Sequence, residues 1–135
     1  MEKRDTLIKR VSILHQFRHE NEAWGRVIRF ITDEYILLKN RLSEILQKMD
    51  ENDKVLLERI EYFQNHFLKE DEIIGYLRME IRDLNKLLAQ DSVENSDPFR
   101  EVKKKQRKLR VELEKTEQTF TKLKYEFNNY VSDGV

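Results

Sequence analysis

The chain has 135 residues, of which 39% are charged and 39% apolar, and its 26 Lys and Arg balance its 26 Asp and Glu. So much charge suits long helices with a wide solvent-facing side, and the zero net charge argues against a general polyanion binder. Three glycines and one proline are too few for a turn-rich β fold, and the absence of cysteine excludes disulfides, zinc-thiolate sites and thiol catalysis.

The N-terminus, Met-Glu-Lys-Arg-Asp, leads into no apolar segment of the kind that marks a signal peptide. No apolar run approaches the ~20 residues of a membrane span. The expected compartment is the cytoplasm. From Leu7 onward apolar residues recur in alternating steps of four and three: Leu14, Phe17, Trp24, Ile28, Ile31, Tyr35, Leu38, Leu42, Ile45 and Met49. This is a heptad seam, with Arg10 and Asn21 as its polar exceptions. It predicts a first helix over about residues 5–50, roughly 65 Å long. Gly25 lies inside it, but the heptad phase runs straight through, so no break is expected there.

Asp50-Glu51-Asn52-Asp53 reads as a polar turn, with Asn52 or Asp53 able to cap the next helix. A second seam runs through Leu56, Ile60, Phe63, Phe67, Ile74, Leu77, Ile81, Leu84 and Leu88, with Glu70 as its hole. It predicts a helix over 53–90. Asp91 to Asp97 reads as a polar loop, and Asp97-Pro98 as an N-cap followed by proline at the first helical position. The third seam, Phe99, Val102, Leu109, Leu113, Phe120, Leu123, Phe127 and Tyr130, has holes at Gln106 and Thr116 and predicts a helix over 98–131. Asp133-Gly134 reads as its end.

Short connections make neighbouring helices antiparallel. The expectation is therefore a single all-α domain over 1–135, an up-down-up antiparallel three-helix coiled-coil bundle with a long first helix. With Trp24 on the first seam, the outline is similar to that of a spectrin repeat, a resemblance of architecture alone.

Folding the seams about their turns brings Tyr35, Glu70 and Thr116 to related heights. They are expected to form one polar core layer, with Glu70 accepting a hydrogen bond from Tyr35 or Thr116, or leaning out to water. Such a layer pins register more readily than it catalyses, because one carboxylate without a base or metal is poor chemistry. The N-terminal turns reach past the expected ends of the other two helices. Leu7, Val11 and Leu14 are therefore expected to lack intramolecular cover. Phe30 and Leu37 lie off the main seam. Together these five are the candidate partner interface, with a second copy of the chain or another helical protein as partner.

Two rival chemistries compete. His15 and His19 have the spacing that lets two imidazoles share a metal, but the heptad puts both on the outer face, where surface histidines are the simpler reading. Residues 100–110 hold Arg100, Lys103, Lys104, Lys105, Arg107, Lys108 and Arg110 against one acid, Glu101. Their charges spread around the helix, Glu20 and Glu22 lie at matching height, and no aromatics interleave. A solvated face is the expectation, against a nucleic-acid-binding module as the rival. There is no catalytic motif and no cofactor signature. The reading is a non-enzymatic interaction or scaffolding protein that self-associates through its first helix.

Overall fold

A computed structural model describes residues 2–133. They form an up-down-up antiparallel bundle of three helices: α1 (Glu2–Lys48), α2 (Lys54–Leu88) and α3 (Ser96–Ser132). α1 passes through Gly25 without interruption. α2 starts where its cap chemistry allows. The Asp53 carboxylate accepts from the Leu56 amide at 3.0 Å, and the Asp53 carbonyl accepts from the Leu57 amide at 3.0 Å. Before it, Asp50 closes the turn by accepting from the amides of Asn52 and Asp53.

α3 begins at Ser96, earlier than the Asp97-Pro98 signature suggests. The Phe99 amide already donates to the Asn95 carbonyl at 2.9 Å. Pro98 therefore sits within the first turn, where its missing N–H deprives the helix of nothing. The expected stop at Gly134 lies outside the described residues.

The chain divides into two compact units. The first joins the N-terminal stretch through Ile28 to Tyr76–Glu114. Its buried side chains include Leu14, Trp24, Ile28, Leu84, Leu88, Val93, Phe99, Val102 and Leu113. The second joins Arg29–Gly75 to the stretch from Lys115 onward. Its core is aromatic. Phe63 and Phe127 meet edge to face at 5.1 Å, Tyr35 meets Phe120 at 5.2 Å, and Phe67 lies 5.7 Å from Phe127. Such pairs add to the stabilisation that burial alone supplies.

Candidate functional site: two polar layers and the exposed faces

Within the second unit Tyr35, Glu70 and Thr116 are all buried. The expected hydrogen bond from Tyr35 to Glu70 is absent. The Tyr35 hydroxyl and the Glu70 Oε2 atom are buried without a hydrogen-bond partner. The Tyr35 ring is held between Phe67 at 5.8 Å and Phe120 at 5.2 Å, so aromatic packing, not its hydroxyl, sets its position. Burial pushes the Glu70 carboxyl above its usual value of 4.5, although Lys69, His66 and Lys115 oppose the shift. Burial and the charges of Glu70 and Asp71 likewise raise the Tyr35 phenol. Burial thus favours the neutral form of both groups relative to water.

The first unit holds a polar layer that sequence reasoning missed. Asn21 Nδ2 donates to Asn85 Oδ1 at 3.0 Å, and Gln106 Nε2 donates to Asn21 Oδ1 at 2.6 Å and to Glu20 Oε1 at 2.9 Å. Arg110 closes the network with Nε to Glu20 Oε2 at 2.8 Å and a terminal nitrogen to Glu20 Oε1 at 2.7 Å. Burial raises the Glu20 carboxyl, but the hydrogen bonds from Arg110 and Gln106 and the Arg110 charge outweigh it, so the net shift is downward. The signal was present as two seam interruptions, Asn21 and Gln106, which the helical register brings together. Asn85 follows the seam residue Leu84 directly and gave no sign of its own.

Of the expected interface residues, Leu7 and Val11 are exposed, at 45% and 41%. Leu14 is not: it is 2% exposed. The 89–95 loop extends past the end of α2 and places Val93 in the core. Arginines on either side of Leu14 fasten that region. Arg10 donates to the Glu94 carbonyl at 3.0 Å and lies 5.4 Å over the Phe99 ring, while Arg18 donates to the Leu88 carbonyl at 2.9 Å. Arg10 is thereby explained as a seam exception.

Phe30 and Leu37 are 57% and 62% exposed, and Phe30 meets Phe120 edge to face at 6.2 Å. Exposed apolar residues are not peculiar to α1. α2 carries Val55, Leu57, Tyr62, Leu68, Tyr76 and Met79, whereas α3 carries Val111 and Tyr125. The contrast is between α3 and the other two helices. A cleft of about 340 Å³ between α1 and α2 in the second unit is lined by Leu42, Leu46, Phe67 and Leu68 and bordered by the Lys39–Asp71 ion pair at 2.6 Å.

His15 and His19 are exposed. Among the described residues no group of three or more His, Cys, Asp and Glu side chains converges as a metal site. No described helix is long and apolar enough to cross a membrane. No protein-family model, curated protein or solved structure matches this chain.

Proposed function

We propose that the chain is a non-enzymatic interaction or scaffolding module of the cytoplasm that works as a homodimer joined through α1. The observation that carries the reading is the pair Phe30 and Leu37, two helical turns apart and each more than half exposed. Large apolar side chains paired in this way on a surface helix favour burial against a partner. A second copy is the simplest partner, because a two-fold axis lets one patch cover itself. Light scattering at micromolar concentration tests it. The expected mass is that of two chains, and the double variant Phe30→Glu, Leu37→Glu is expected to be a folded monomer. A wild-type monomer would overturn the proposal.

A further inference from the structure

Between Phe99 and Leu113 the core-facing positions of α3 are Phe99, Val102, Gln106, Leu109 and Leu113. The exposed side holds Arg100, Lys103, Lys104, Arg107 and Lys108. These five follow the i, i+3, i+4, i+7, i+8 pattern that gathers residues on one helix face. The two remaining cations of the run are engaged within the chain. Arg110 is held by Glu20, and Lys105 reaches Glu101 at 3.5 Å. Glu20 is therefore committed to the polar layer and does not neutralise the exposed face. On that face Lys108 has only a long contact to Glu112 at 4.0 Å, and Lys103 lies 5.7 Å from the Phe99 ring centre. Arg100, Lys104 and Arg107 make no ion pair among the described residues.

This arrangement weakens the helix that bears it. Like charges three and four residues apart repel: Arg100 with Lys103 and Lys104, Lys103 with Arg107, Lys104 with Arg107 and Lys108. A bound polyanion relieves this repulsion.

We propose that this face of α3 binds the phosphate backbone of double-stranded nucleic acid without reading its sequence, an inference independent of self-association. Arg100 to Lys108 covers about 12 Å of helix, comparable to three or four phosphates of one strand at ~3.4 Å of axial spacing. No aromatic residue lies on the face for stacking, so the contacts are to phosphate. An anionic membrane fits less well. A helix lying in the interface must offer an apolar side, and here Val102, Leu109 and Leu113 are already buried, leaving Val111 as the large apolar residue exposed on this stretch.

Fluorescence anisotropy of the full chain with a labelled, arbitrary DNA duplex tests the inference. Binding is expected at about 50 mM salt, with two unrelated sequences bound equally. Four phosphate contacts predict a loss of affinity on the order of 10²-fold by about 200 mM. The triple variant Lys103→Glu, Lys104→Glu, Arg107→Glu should keep its helicity and lose binding. A control, Lys48→Glu, Lys54→Glu, Lys122→Glu, carries the same charge change elsewhere and should still bind. No binding by the wild type at low salt, equal losses in both variants, or binding that survives the α3 triple variant overturns the proposal. So does capture by phosphatidylserine vesicles with none by the duplex, which would assign the face to membranes.

Discussion

Glu70 carries the sharpest consequence at the scale of a single residue. Its carboxyl titrates above the usual value of 4.5 because burial disfavours the charge. The native state then holds a proton that the unfolded chain has released, across the window from the unfolded value up to the raised one. Stability from this group is fully present below that window and is lost as pH rises through it. Glu70→Gln removes the titration and keeps the shape. It should stabilise the protein by about 1 kcal/mol near neutral pH and by much less near about pH 4, as read from urea denaturation. Equal gains at both pH values would mean that the buried charge is not the cause. Asn21 gives the opposite expectation. Asn21→Ala strips Asn85 Oδ1 of a donor and Gln106 Nε2 of an acceptor, so it should cost about 1–3 kcal/mol. A loss below about half a kilocalorie per mole would show that the layer repacks or hydrates freely.

Local rules and tertiary rules separate cleanly at the scale of the element. Gly25 and Gly75 are helix-interior glycines, and a Cβ built at either meets nothing within 4 Å. Gly25→Ala and Gly75→Ala should each stabilise by about 0.5–1 kcal/mol in thermal or urea melts, because alanine loses less backbone freedom on folding. Destabilisation at either site would reveal a demand for glycine that the surrounding space does not explain. The helices themselves were legible because their seams hold one heptad phase for turn after turn, and because Asp53 is a strong cap that follows a polar turn. The start of α3 was not, since proline is tolerated throughout the first turn and marks it only loosely. Leu14 was misjudged for another reason. A loop read as polar buries Val93 and offers its Glu94 carbonyl to Arg10, and the sequence reveals neither. The polar layers were half legible. Interrupted seams showed where polar residues enter the core, but hydrogen-bond partners depend on side-chain geometry. That is why Asn21 and Gln106 found each other while Tyr35 and Glu70 did not. Glu20 lies at matching height to the basic run, but its carboxylate is taken up by Arg110 and Gln106, which the sequence does not show.

At the scale of the whole molecule, the near-zero net charge and a sequence pI near 6.9 complicate any measurement of assembly at neutral pH. Proteins close to their isoelectric point associate weakly through lack of mutual repulsion, without a fixed stoichiometry. Specific pairing through α1 differs in three observable ways. Its mass levels off at two chains, it depends on Phe30 and Leu37, and it survives a modest change of pH, because burial of apolar area is not a titration. A specific interface of the usual size removes about 800 Å² from each chain. Phe30 and Leu37 alone supply only part of that, so the dimer should be of moderate affinity and should dissociate on dilution. Its melting temperature should rise with protein concentration, as mass action requires when the native state is the one that associates. Sedimentation measured at about pH 7 and about pH 8.5 separates the two cases. The expected result is the same two-chain plateau at both pH values for the wild type, and a single-chain mass at both for Phe30→Glu, Leu37→Glu. Species that grow past two chains at the lower pH and vanish at the higher one would identify the association as isoelectric, and the apolar pair on α1 as exposed surface without a partner of its own kind.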